Sequence, residues 1–146
     1  MLTINRETDY AARVILHLAL QPPGSRATAR EIARQRLIPA ALVRRVVTRL
    51  AAAGLIVTAR GSDGGITLAR PPAEITLLDV VEAMEGPLAL NQCTVEPQFC
   101  PLMVVCTVHQ AWMRARDTLR ADLSRVTFAD LAQKGGVPST DIPPAR

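Results

Sequence analysis

Cys93, Cys100 and Cys106 fall inside one fourteen-residue window and nowhere else in the chain, and the last of them opens the run Cys106-Thr107-Val108-His109. Thiolate is the ligand of iron-sulfur clusters and of zinc, so three thiols in one loop, one of them at the start of a helix, can wrap a soft metal centre. The spacing C-x6-C-x5-C is not the C-x2-C of a zinc finger or ribbon, which disfavours structural zinc. A cluster takes four ligands and this loop supplies three. His109, one turn beyond Cys106, is the near candidate for the fourth; Asp9, in the first helix and available to the other subunit of a dimer, is the remote one. A zinc or thiol redox switch and three inert thiols remain as alternatives, while an odd number of cysteines argues against a disulfide framework. Reading Cys106 and His109 as nucleophile and base would require an orienting third group and an oxyanion site, and neither stands at a recognisable spacing. No G-x-S-x-G, phosphate loop or H-E-x-x-H occurs, so neither an enzyme nor a small-molecule substrate is expected.

A second set of residues carries charge instead of thiols. Residues 1–70 hold eleven Arg and four acidic residues, a net +7, whereas residues 71–146 are net −3. Sixteen of the seventeen cationic residues are Arg, whose fork matches phosphate and guanine, although a GC-rich genome alone also favours Arg over Lys. Within the basic half, Arg44, Arg45, Thr48 and Arg49 lie opposite an apolar stripe of Leu42, Val43, Val46, Val47 and Leu50. Set in a major groove, such a helix presents Ala41, Arg44 and Arg45 to base edges and Thr48 and Arg49 to phosphates. Thr28, at the start of the preceding helix, joins this candidate DNA-binding set. Arg60 with Gly61 can reach a minor groove from a hairpin. The bland alternative is a solvated basic face beside a hairpin whose glycines serve only turn geometry. His17 receives no role.

The elements that must position these residues follow from periodicity and capping. A first helix is expected over Thr8 to Leu20 with Thr8 as its cap, and a second from Thr28, where Thr28-Ala29-Arg30-Glu31 reads as a capping box, to about Gln35. Pro39 opens a third helix that runs to about Ala53 and stops at Gly54. Runs 55–59 and 66–69 flank a Gly-rich turn and read as a hairpin. A fourth helix spans Leu77 to Met84, capped by Thr76 with Asp79 at its third position. A long loop follows and carries the cysteines. The last strong helix, about Val105 to Arg125, bears Val108, Trp112, Ala115, Leu119, Leu123 and Val126 as a heptad-like seam, which we assign to a homodimer, the alternative being a helix packed back on its own domain. A short helix from Thr127 to Gln133 precedes a mobile tail.

The chain is 146 residues, enough for one small domain with an appended element. Aromatic residues are 3% of it, too few for a base-stacking platform on single strands, though duplex binding needs none. No apolar run reaches the roughly 18 residues of a bilayer span and no signal sequence is evident, so a cytoplasmic, non-membrane protein is expected.

The chain resembles the winged-helix iron-sulfur transcriptional regulators that include IscR, NsrR and RirA, over about residues 1–133. The residues that carry the likeness are Thr8-Asp9-Tyr10-Ala11, Ala29-Arg30-Glu31-Ile32-Ala33, Leu50-Ala51-Ala52-Ala53-Gly54-Leu55-Ile56, the wing Arg60-Gly61-Ser62-Asp63-Gly64-Gly65, and three cysteines before a long helix. The resemblance implies a mostly α fold with a small β-hairpin wing, a winged helix-turn-helix plus a long dimerisation helix. It implies a homodimer, bound to double-stranded promoter DNA and expected to repress, whose DNA affinity is set by an iron-sulfur cluster sensing iron, redox state or nitric oxide. Cys93, Cys100 and Cys106 match the family's cysteine ligands. His109 matches the fourth ligand of members that bind 2Fe-2S, and Asp9 the carboxylate that the other subunit gives to a 4Fe-4S cluster. Arg44 and Arg45 stand where IscR-like members carry an acidic residue and an amide, which implies a different operator. The expected organisation is a DNA-binding domain over 1–70, a connecting helix over 71–90, a cluster loop over 91–106, the dimerisation and short terminal helices over 105–133, and a tail over 134–146. A cluster-free regulator that uses the same cysteines as a thiol redox or zinc switch is the alternative.

Overall fold

The computed structural model describes residues 3–96, 98 and 100–135. In chain order its elements are α1 (Arg6–Leu20), α2 (Ala29–Gln35), α3 (Ala40–Ala52), β1 (Ile56–Ala59), β2 (Gly65–Leu68), α4 (Leu77–Glu85), α5 (Thr107–Arg125) and α6 (Phe128–Lys134). The fold is therefore mostly helical with one two-stranded antiparallel hairpin, as expected. Most of the tail, residues 136–146, lies outside the described residues.

Each helix of the first half is specified locally and then buried on one face. α3 places Val43, Val46 and Leu50 inward at helical spacing, against Val14 and Ile15 of α1 and Ile32 of α2 in one continuous core. Replacing any of these by Ala would remove apolar contact and leave a cavity, at about 2–5 kcal/mol for a Leu or Ile. α4 starts at a complete capping box: the Asp79 amide donates to Thr76 Oγ1 at 3.2 Å and the Thr76 amide to Asp79 Oδ2 at 2.8 Å. α2 has half of one. Thr28 Oγ1 accepts from the Glu31 amide at 3.1 Å, but the Glu31 carboxylate takes a hydrogen bond from Gln35 instead.

Two boundaries differ from expectation. α1 begins at Arg6 and is capped by Asn5, whose Oδ1 accepts from the Glu7 amide at 3.0 Å. Thr8 is buried inside the helix and donates its hydroxyl to Glu85 Oε1 at 2.7 Å, so its polar atom serves α4 instead of the helix end. α5 begins at Thr107, two residues later than the apolar pattern suggests, because Cys106 acts as its cap.

The hairpin pairs Ile56 with Leu68 and Ala59 with Gly65, and β2 also bridges Ala27, immediately before α2. Ala27 and Ile66 exchange both backbone hydrogen bonds, at 3.1 and 2.8 Å, which fastens the hairpin to the helix-turn-helix. Gly65 permits this close approach: at φ +148° it stands where a Cβ would meet the Arg26 side chain at 2.9 Å. A Cβ on Gly64 would meet the Ala59 carbonyl oxygen at 2.5 Å, so the tip of the turn also requires glycine.

The second half departs from the core and returns. Backbone hydrogen bonds from Leu77 to Val126 and from Phe128 to Ile75, both 2.9 Å, tie the end of α5 to the start of α4. Phe128 of α6 then enters the core. α5 itself has no buried residue; Val108, Trp112 and Leu119 are 59%, 42% and 39% exposed along the expected seam. No helix among the described residues is long and apolar enough to cross a membrane.

Candidate DNA-binding face and cysteine site

Burial of Val43, Val46 and Leu50 turns the opposite side of α3 outward, and Ala41, Arg44, Arg45, Thr48 and Arg49 are all exposed there. Their partners differ. Arg44 makes no ion pair among the described residues, and its carbonyl accepts the Thr48 hydroxyl at 2.9 Å. Arg45 is ion-paired with Glu7, in the first turn of α1. Arg49 donates to the Met84 carbonyl at the end of α4. In the wing, Arg60 and Gly61 are exposed, with Gly61 at φ +100° carrying the chain through the turn. Arg26 donates to the Asp63 carbonyl and so braces that turn from the α2 side. Thr28 is exposed, with its hydroxyl oxygen engaged as the α2 cap.

Behind this face lies His17, fully buried in α1. Its Nδ1 accepts from Arg36 Nε at 3.2 Å, and Nε2 has no partner among the described residues. Burial, followed by the Arg36 guanidinium, holds its pKa below the usual 6.5, against an opposing pull from Glu31. A neutral imidazole is thereby the acceptor that fixes Arg36 at the turn between α2 and α3, where Leu37 takes φ 53°.

The cysteine segment is ordered around the first turn of α5. Cys106 Sγ accepts the His109 amide at 3.3 Å, so a sulfur does the work of an N-cap oxygen. Cys93 sits in a 3-10 turn, Gln92–Thr94; its Sγ lies 3.3 Å from His109 Nδ1 and 3.2 Å from Asn91 Oδ1. His109 therefore gathers Cys93 and Cys106. Cys100 is half-buried in the same segment, and neither it nor Cys93, Cys106 or His109 joins a group of three or more metal-ligating side chains among the described residues. Asp9 is exposed on α1 and paired with Arg13 at 2.6 Å. As a donor set, three thiols and an imidazole in one segment suit a soft metal centre, and two of those thiols already meet the imidazole residue.

Side chains that periodicity did not single out connect this segment to α3. Arg116 of α5 donates to the Thr94 carbonyl at 2.8 Å, and Thr94 is buried. Arg120, one turn on, is ion-paired with Glu82 of α4. Met84, in the last turn of α4, accepts Arg49 of α3 at its carbonyl. Only the (i, i+4) spacing of Arg116 and Arg120 was visible beforehand; their partners are distant in sequence.

A helix-turn-helix whose second helix carries arginines outward, fastened to a hairpin and followed by a long helix, defines a winged-helix DNA-binding protein. The family described as "Rrf2: Iron-dependent Transcriptional regulator" matches residues 4–134, and the chain belongs to this Rrf2 family, which includes IscR, NsrR and RirA. It is accordingly a DNA-binding transcriptional regulator; members of the family bind DNA, typically as dimers. Among solved structures, CymR of B. subtilis, the global cysteine regulator of that organism, is similar at 25% identity over 93% of this chain and 100% of that one, with a TM-score of 0.77. The oxidized form of Staphylococcus aureus CymR matches at 26% identity over 90% of this chain and 97% of that one, TM-score 0.70. IscR of T. potens, at 21% identity over 91% of this chain and 88% of that one, shares the fold with a TM-score of 0.72.

Proposed function

We propose that this regulator's affinity for promoter duplexes is controlled by an iron-sulfur cluster, 2Fe-2S or 4Fe-4S, held by Cys93, Cys100 and Cys106 with His109 or the partner subunit's Asp9 as fourth ligand. Such a group supplies a centre whose assembly and loss respond to iron, oxygen or nitric oxide. The observation that carries the reading is the convergence of Cys93 and Cys106 on His109 at the start of α5. Any change in what these three residues bind alters the cap of α5. From there Arg116, Arg120 and Glu82 lead to α4, and α4 holds Arg49 of the recognition helix. Arg44, Arg45 and the exposed Ala41 face base edges; Thr28, Thr48, Arg49, Arg60 and Gly61 serve the backbone and minor groove. The seam of Val108, Trp112, Ala115, Leu119, Leu123 and Val126, exposed over its first four members and half-buried at the last two, pairs two copies through α5, so that two recognition helices meet two half-sites.

The test is anaerobic purification with iron and sulfide counts per chain, followed by titration of promoter DNA with loaded and stripped protein. About two irons favour His109 and about four favour Asp9 as the last ligand. A tenfold affinity difference between the forms needs only about 1.4 kcal/mol of coupling. Equal affinities would refute the cluster control.

A second reading has its own support in the 3.3 Å contact between Cys93 Sγ and His109 Nδ1, a thiol beside an imidazole nitrogen, and in a similar protein being known in an oxidized form. In it the cysteines form a thiol switch on the same DNA-binding frame. No iron after reconstitution, with DNA affinity that follows added oxidant, would select this reading.

A further inference from the structure

Arg44 and Arg45 are neighbours on one exposed face, yet among the described residues only Arg45 is tied down by an ion pair. The Glu7 carboxylate that pairs with Arg45 is 20% exposed, whereas the guanidinium over it is 60% exposed. Glu7 is held in turn. Its amide is capped by Asn5, the Asn5 amide donates to Glu85 Oε1 at 2.9 Å, and Thr8 donates to that same oxygen at 2.7 Å. The α1 turn that carries Glu7 is thus fixed to the end of α4, and Arg45 is fixed to Glu7.

A guanidinium has five N–H donors in a rigid fork, so a carboxylate on one terminal nitrogen leaves the others available in a set direction. Reading guanine O6 and N7 requires that kind of direction; contact with a phosphate does not. A carboxylate beside DNA is also repelled by phosphates once its cation leaves. A sequence that drew Arg45 away from Glu7 would therefore uncover a negative charge next to the duplex, and only a site that accepts the paired geometry avoids that cost.

The geometry points to Glu7 as a specificity-determining positioning residue that aims Arg45 at a guanine, leaving the unpaired Arg44 to the phosphate backbone. This divides between them a base-reading role that periodicity gave to both, and it rests on α3 being the recognition helix.

The test selects full-length protein, prepared anaerobically, against a pool of randomised duplexes and sequences what is bound. The wild type should enrich guanine at one half-site position that Arg45→Ala abolishes. Glu7→Gln keeps the shape and removes the charge; it should lower that guanine preference roughly five-fold or more, the bottom of the range for a bidentate pair, while binding to non-specific duplex holds or rises. In an Arg45→Ala background, Glu7→Gln should add nothing to base preference. Arg44→Ala should weaken all sequences alike and reduce the salt slope by about one phosphate contact. An unchanged preference in Glu7→Gln overturns the proposal, and so does an effect of Glu7→Gln that survives without Arg45, since Glu7 would then touch the base itself. If wild type binds duplexes but Arg45→Ala leaves every base preference intact, the reading of α3 fails along with it.

Discussion

The helix-turn-helix and the long helix α5 come from the same chain and follow similar apolar periodicities, but they end in opposite conditions. α1 and α3 bury the centres of their apolar stripes, with Val14, Ile15, Val46 and Leu50 at 0% exposure and Leu42 and Val47 partly buried beside them, and α2, the hairpin and Phe128 of α6 close over them. α5 buries nothing completely, and leaves Val108, Trp112 and Leu119 open to solvent beside a groove of about 380 Å³ lined in part by Ile4, Leu88, Leu90 and Leu123. One region is complete within a single chain. The other has the pattern of a buried helix without the partner that would bury it. The charge follows the same division, since the positive half is the finished one and presents its arginines on a rigid support.

The sharpest way to break this contrast is to cut the finished core. Leu50→Ala should cost about 2–5 kcal/mol, read as a lower denaturation midpoint at every protein concentration. A loss below about 1 kcal/mol would mean that α3 is not rigidly seated. On the unfinished side, Trp112→Glu should leave the monomer's fold intact but cost about 2 kcal/mol or more of self-association, the scale of a central interface aromatic. In sedimentation the wild type should run as a dimer and the variant as a monomer. The wild type's melting temperature should rise with concentration while the variant's stays flat. A dimer that survives Trp112→Glu would place the interface elsewhere than on α5.

The difference between the regions also explains what the sequence could reveal. The stripe of α3, the Thr76 and Asp79 capping box and the Gly-rich hairpin are local patterns, and all three are found where periodicity and turn chemistry place them. The start of α1 was misplaced because Thr8 and Asn5 are both good caps. What decides between them is Glu85, 77 residues from Thr8, which claims the threonine hydroxyl. The same limit hid Glu7, which reads locally as an acidic residue in a helix's first turn and reveals its role only through Arg45, 38 residues away. Thiol spacing announced the cysteine segment, but the gathering of Cys93 and Cys106 on His109 depends on the 3-10 turn at Gln92–Thr94 and on Arg116, which no short-range pattern specifies.

A smaller effect belongs to the finished region and depends on pH. Because the folded pKa of His17 lies below 6.5, the unfolded chain binds the proton more readily, and the stability from its neutral form is complete above that value. As pH falls through and below 6.5 this stability is lost: the protonated ring cannot accept from Arg36 and sets a second cation against it, with only Glu31 opposing. Wild-type melting temperature should fall over that window. His17→Gln, which keeps a hydrogen-bond acceptor without a titrating ring, should flatten the fall. An equal slope in the two proteins would assign the pH dependence to other groups.

The smallest expected effect on stability tests the join between the two regions. Arg120 and Glu82 are 48% and 28% exposed, and an ion pair so placed contributes about 0–1 kcal/mol to folding. Arg120→Gln should therefore melt within about 1 kcal/mol of wild type. Yet this pair is where α5, which carries the cysteine segment, meets α4, which holds Arg49 through the Met84 carbonyl. If the state of the cysteines reaches the recognition helix by this path, the variant should load iron normally while the ratio of DNA affinities between loaded and stripped forms moves toward one. Full retention of that ratio, with normal iron, would mean that the two regions communicate by a route other than these contacts within one chain, such as the proposed pairing of two α5 helices.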